Sequence, residues 1–106
     1  MPNGGITTKK LSTAPISSLS SQPNETKVRI AGTIQELTVF PTKSNDDMAI
    51  VRVADETGSI EVFFFPNIYM QTAQLLTQGT MIMLQGRTFL DPGAEIKIVA
   101  DKIQLE

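Results

Sequence analysis

An all-β barrel of five short strands, with one helix between the third and the fourth, is what this sequence predicts. Three observations predict it. Apolar and polar side chains alternate at period two through most of residues 27–106. Turn residues interrupt that alternation at short intervals. After Pro66 alone the period changes to that of a helix.

The first strand is predicted from Lys27 to about Val39. Val28, Ile30, Gly32 and Ile34 share one face; Arg29, Ala31, Thr33 and Gln35 share the other. Gly32 inside a strand predicts a bulge or a tight bend. Phe40-Pro41 through Asp47 reads as a polar loop. The second strand runs from Met48 to about Ala54, with Ala49, Val51 and Val53 on one side and Met48, Ile50 and Arg52 on the other. Asp55-Glu56-Thr57-Gly58 is a turn, in which Asp bonds its own backbone and Gly is free to take positive φ. The third strand, Ser59 to Phe65, sends Ile60, Val62 and Phe64 one way and Glu61, Phe63 and Phe65 the other. Pro66-Asn67 then opens a helix with Asn67 as N-cap. Tyr69, Ala73 and Leu76 form its apolar stripe, and Gly79 ends it. The fourth strand spans Thr80 to about Thr88, with Ile82, Leu84 and Gly86 in phase. Asp91-Pro92-Gly93 turns the chain, and the fifth strand runs from Glu95 to about Gln104, with Ile96, Ile98 and Ala100 in phase. The order β-β-β-α-β-β is that of the OB-fold, a small Greek-key barrel.

Residues 1–26 differ in composition. Sixteen of them are Ser, Thr, Pro, Asn or Gly. The segment is expected to be a flexible tail or linker before an OB-fold domain at 27–106, because it has little apolar surface to offset its ordering entropy. Within it, Ile16 and Leu19 are spaced like one helical face.

Composition narrows the function. The chain has 106 residues, enough for one small domain, and a net charge of −2. It has no Cys and no His, which excludes disulfides, thiolate nucleophiles and imidazole chemistry. Asp46-Asp47 and Asp55-Glu56 are the acidic pairs, and both read as turn residues. Binding without catalysis, cofactor or metal is therefore expected, from a cytoplasmic protein with no membrane partner.

The words of the sequence carry a resemblance. They are Val28-Arg29-Ile30-Ala31-Gly32-Thr33-Ile34, Thr42-Lys43, Met48-Ala49-Ile50-Val51, Asp55-Glu56-Thr57-Gly58-Ser59-Ile60-Glu61-Val62, Phe65-Pro66, Tyr69, Gly79, Gln85-Gly86-Arg87 and Lys97-Ile98-Val99-Ala100. In this order they resemble the OB domain of the alpha subunit of bacterial DNA polymerase III, a family C replicative polymerase, over about residues 27–104. The resemblance implies a domain beside a polymerase core that contacts single-stranded template DNA. It leaves two arrangements open, a fragment of a longer subunit or a free-standing OB protein, with other parts of that subunit or of the replisome as partners. Where the family usually has Gly and a basic residue after Thr-Lys, this chain has Ser44-Asn45-Asp46-Asp47.

Single-strand binding needs aromatic faces for bases and positive charge for phosphates. Phe63 and Arg52 are the first candidates, on the outer face of strands two and three. Lys43, Arg87, Lys97, Phe40 and Phe89 are placed to line the groove, and Glu61 opposes phosphate or pairs with Arg52. With 7 basic and 10 acidic residues in 27–106, binding is expected to be micromolar or weaker, with a shallow salt dependence. The isolated domain is expected to be a monomer. Met81, Met83 and Val99 form a second candidate surface, an apolar patch for a protein partner on the far side of the barrel. Two alternatives to single-stranded DNA remain open: a protein-docking module of the replication machinery, and a tRNA anticodon-binding domain.

Overall fold

Strict alternation along each strand leaves one apolar face per strand, and five such faces are buried together by rolling the sheet into a cylinder. The computed structural model describes residues 13–90 and 95–105. Its strands are β1 (Lys27–Pro41), β2 (Asp47–Asp55), β3 (Gly58–Phe64), β4 (Met81–Leu90) and β5 (Ile96–Leu105). Helix α1 (Pro66–Thr72) lies between β3 and β4 and continues into a 3-10 turn at Ala73–Leu75. The strands close in the order β1-β2-β3-β5-β4, with β4 returning to β1. Neighbours are antiparallel except β3 and β5, which run parallel. The all-β OB-type architecture expected from the sequence is the one observed.

The predicted phases hold. Ile30, Ile34, Val51, Val53, Val62, Phe64, Ile82, Leu84 and Ile98 are all fully or almost fully buried in the cylinder. Gly32 and Gly86 serve close approach. A Cβ on Gly32 would lie 2.5 Å from the Ala54 carbonyl oxygen, and one on Gly86 would strike the Val99 carbonyl. Two strands can therefore meet tightly there, as a small barrel needs.

Several local expectations are corrected. The bulge on β1 is not at Gly32 but three residues later, between Ile34 and Glu36, and a second interrupts the β4–β5 ladder at Gln85/Gly86. Each lets a long strand bend round the cylinder. β1 extends through Phe40 and Pro41, so the first loop is only residues 42–46. Asn67 is not the N-cap: Phe65 holds that position without a side-chain bond, and Pro66 is the first helical residue, where its missing N–H costs nothing. Gly58 does not take positive φ; Gly79 does, at +90°. Gly79 donates its N–H to the Ile34 carbonyl rather than closing α1 directly. Met48, placed by alternation on the outer face, is nevertheless buried. The predicted Asp91-Pro92-Gly93 turn lies outside the described residues.

The expected tail also behaves differently where it is described. Residues Ile16–Ser21 form a 3-10 helix, and Ile16 and Leu19 belong to the core at 4% and 0% exposure. Asp55, in the β2–β3 turn, holds this helix. Its Oδ2 accepts the Ile16 N–H at 2.9 Å, while its Oδ1 accepts bonds from the Thr57 N–H, the Thr57 hydroxyl and the Gly58 N–H. Thr57 Oγ1 in turn accepts the Ser17 N–H at 3.0 Å. Further on, the buried Thr88 hydroxyl donates to the Pro23 carbonyl at 2.6 Å and accepts the Thr26 N–H at 2.8 Å.

Two predictions follow from this anchoring. Leu19→Ala is expected to cost about 2–5 kcal/mol of stability, read by urea denaturation; no loss would mean that residues 13–26 lie outside the cooperative unit. Burial pushes the Asp55 carboxyl up, but the bonds from Thr57, Ile16 and Gly58 outweigh it and hold the pKa below the usual value. Its stabilising contribution is thus complete above the unfolded value of about 3.9 and is lost as pH falls through the lower folded value. Acid titration followed by amide exchange is expected to open residues 16–17 in that window, and Asp55→Asn to abolish this pH dependence.

Candidate nucleic-acid interface

The outward-facing positions of β2, β3 and β5 form one continuous surface. Register pairs Ile50 with Phe63 and Arg52 with Glu61 between β2 and β3, and Phe63 with Val99 across the parallel junction. The ring of Phe63 sits between two others. Phe65 meets it edge-on at 6.1 Å between centroids, and Phe89 of β4 is tilted to it at 6.4 Å. Phe63 is half-buried by these neighbours, whereas Phe65 and Phe89 are exposed at 44% and 40%. Three aromatic rings from two distant parts of the chain thus form one apolar platform.

Beside it lies a compact charge network. Glu61 accepts a 2.8 Å bond from Lys97 Nζ through Oε1, and its Oε2 lies 3.4 Å from Arg52 Nη2. Arg52 also donates to Ser59 Oγ at 2.9 Å. The Lys97 bond, with the positive fields of Lys97 and Arg52, holds the Glu61 carboxyl below its ordinary pKa against the opposing effect of burial. One carboxylate is therefore shared by two candidate phosphate contacts.

The structure brings together Arg52, Phe63, Lys97 and Phe89 from the candidate set. It sets Lys43 and Phe40 apart from them and places Arg87 at their margin. Lys43 is exposed in the 42–46 loop, beyond Asp47, roughly 10 Å or more along β2 from Ile50. Phe40 pairs with Met48 near that loop and makes no ring contact with Phe63 among the described residues. Arg87 lies on β4 between Lys27 and Val99, 3.4 Å from Asp101.

The candidate apolar patch is also rearranged. Met81 is exposed and Met83 half-buried, facing outward as expected. Val99 does not join them, because its register partners are Phe63 and Arg87. Met83 lies four residues from Arg87, roughly 13 Å along the strand. Sequence reasoning placed Phe65 on the face of Phe63 but left it out of the candidate set, and it missed the Lys97–Glu61 bond. Residues 61 and 97 are far apart in sequence, and alternation gives no register for a parallel pair.

A closed five-stranded barrel of this order, with one helix between the third and fourth strands, defines an oligonucleotide/oligosaccharide-binding fold. Residues 28–106 match the family of OB-fold nucleic acid binding domains, and the chain belongs to that family. It is 34% identical over 85 residues to the DNA polymerase III subunit alpha of Aquifex aeolicus, a match that covers 80% of this chain and 7% of that protein. The chain therefore spans only a small part of such relatives. Among solved structures, it is similar to asparaginyl-tRNA synthetase from Pyrococcus horikoshii, with a TM-score of 0.70, 17% identity and coverage of 90% of this chain and 22% of that one. It is also similar to the mitochondrial single-stranded DNA binding protein Rim1 of S. cerevisiae, with a TM-score of 0.61, 15% identity and coverage of 79% and 97%. At these identities the structures show the fold.

The Glu61 network makes a prediction of its own. Lys97→Gln removes the main cause of the lowered pKa, so the Glu61 carboxyl is expected to titrate at higher pH in that variant, as followed by side-chain carbon shifts. An unchanged titration would mean that Lys97 does not hold Glu61 in solution.

Proposed function

We propose that this domain binds single-stranded DNA, with bases stacked on Phe63, Phe65 and Phe89, as an accessory module of a polymerase III-type alpha subunit. The observation that carries this reading is the platform of three rings, Phe63 on β3, Phe65 just after it and Phe89 near the end of β4. Similarity to the Aquifex aeolicus subunit supplies the polymerase setting. Stacking on aromatic side chains accepts any base and is worth about 1–3 kcal/mol per base, which suits a template of changing sequence. The domain contributes no chemistry in this reading; it needs no cofactor or metal, and its work is to hold the strand.

The charge network supports weak binding in isolation. A phosphate arriving between Arg52 and Lys97 must compete with Glu61, which already holds both. Lys43 is left to a loop that also carries Asp46 and Asp47. In a longer subunit, tethering beside the polymerase supplies the local concentration that isolated binding lacks. Such a domain works inside the cell and as a monomer. Among the described residues, no helix is long and apolar enough to cross a membrane.

Amide shifts recorded during addition of oligo-dT, and then of oligo-U, test the reading. Shifts are expected at residues 50–52, 61–65, 89 and 97–99, larger with DNA. Phe63→Ala is expected to weaken oligo-dT binding by about 1–3 kcal/mol while leaving the thermal midpoint within a few degrees. Glu61→Gln is expected to tighten binding and to steepen its salt dependence, since it frees Arg52 and Lys97. A stronger response to oligo-U would favour the anticodon-type reading. No response to either would move the domain to the docking class, with exposed Met81 as the first surface to test.

A further inference from the structure

The described cations are unevenly placed, and most of them lie away from the β2–β3 face. Lys27, Arg29, Arg87 and Lys102 all occupy outward positions on β1, β4 and β5. Register sets Lys27 opposite Arg87, Arg29 opposite Gln85, and Gln85 opposite Lys102. Lys27, Arg87 and Lys102 are exposed, and Arg29 donates to Gln85 Oε1 at 3.2 Å. Among the described residues, Asp101, at the bulge of β5, lies 3.4 Å from Arg87. Glu25 is exposed at the Lys27 end. Among the described residues, neither Lys27 nor Lys102 forms an ion pair.

Like charges at directly opposed positions on neighbouring strands repel and destabilise the sheet. Lys27 and Arg87 are such a pair. A polyanion laid across them relieves the repulsion, and the surface is continuous with the aromatic platform. Arg87 shares its partner Val99 with Phe63, and Phe89 lies two residues further on the same face of β4, in ring contact with Phe63. A strand whose bases stack on Phe63 and Phe89 can carry its next phosphates over Arg87 and Lys27.

We propose that the β1–β4–β5 face is a second contact surface, a phosphate track for the sugar–phosphate backbone of the single strand as it leaves the aromatic platform. The proposal rests on the stacking role assigned above to Phe63 and Phe89. It locates the main electrostatic contact on Lys27, Arg87 and Lys102. Arg52 and Lys97 share Glu61, and Glu36 stands opposite Arg52 in register.

The test is the salt dependence of oligo-dT binding by the double variant Lys27→Gln/Lys102→Gln. Each lost phosphate contact on a single strand lowers the log–log slope by about 0.7. The double variant is therefore expected to bind several-fold more weakly at low salt, with a slope shallower by about 1.4. Asp101→Asn, which frees Arg87, is expected to move both quantities the other way. An unchanged slope in the double variant overturns the proposal. Competition by polyglutamate as effective as that by oligo-dT also overturns it, since the face would then read charge alone and suit an acidic protein segment. Phe63→Ala separates the two readings. If it weakens binding while the double variant does not, the track fails and the platform stands. If the double variant alone weakens binding, the stacking role fails, and the track, defined as the path from the platform, is overturned with it. If oligo-dT binds neither the parent nor Asp101→Asn, both fail.

Discussion

The parallel junction of β3 and β5 is the constraint on which the rest depends. It is short, with Val62 opposite Ile98 and Phe63 opposite Val99, yet it converts an open sheet into a cylinder. On the inside it brings Val62 and Ile98 into one core, both fully buried. On the outside it puts Lys97 against Glu61 and Val99 against Phe63. Without it, β5 and β4 would not approach the β2–β3 face, and Phe89 would have no ring to meet. Parallel pairs cannot be joined by a tight hairpin. Here α1 and β4 fill the connection, so closure and the helix position are parts of one solution.

Small barrels have little core, and this one enlarges it by recruiting chain from outside the sheet. Ile16 and Leu19 add two fully apolar side chains to a cluster built from short strands. Small domains bury a smaller share of their surface and are marginal for that reason. The recruited segment is polar in composition, so it is held by hydrogen bonds as well as by burial. Asp55 binds the start of its 3-10 helix, and Thr88 binds residues 23–26. Both anchors belong to strands of the barrel, so folding of the sheet and docking of the segment reinforce each other.

The surface shows a division between stacking and charge. The β2–β3 face carries rings and two cations that share one carboxylate; among the described residues, the β1–β4–β5 face carries Lys27, Arg29, Arg87 and Lys102. Four of the seven described cations share one face, so a net acidic domain still presents a local positive field there, because the local field depends on nearby charges more than on the total.

Alternation is a local property, so the residues facing the core were legible from the sequence: Ile30, Val51, Val62, Phe64, Leu84 and Ile98 all lie where period two put them. The same phase put Arg52, Glu61 and Phe63 outward, and the resemblance to a polymerase domain was legible in the words around them. What the sequence could not determine was which outward residues become neighbours. The Glu61–Lys97 bond, the contact of Phe63 with Phe89 and the separation of Val99 from Met83 depend on register between strands distant in the chain. Bulges after Ile34 and Gln85 shift that register by one residue with no clear sequence mark. The burial of Leu19 followed the same rule. Its composition predicted a tail, because the partners that bury it lie in the barrel rather than in the segment itself.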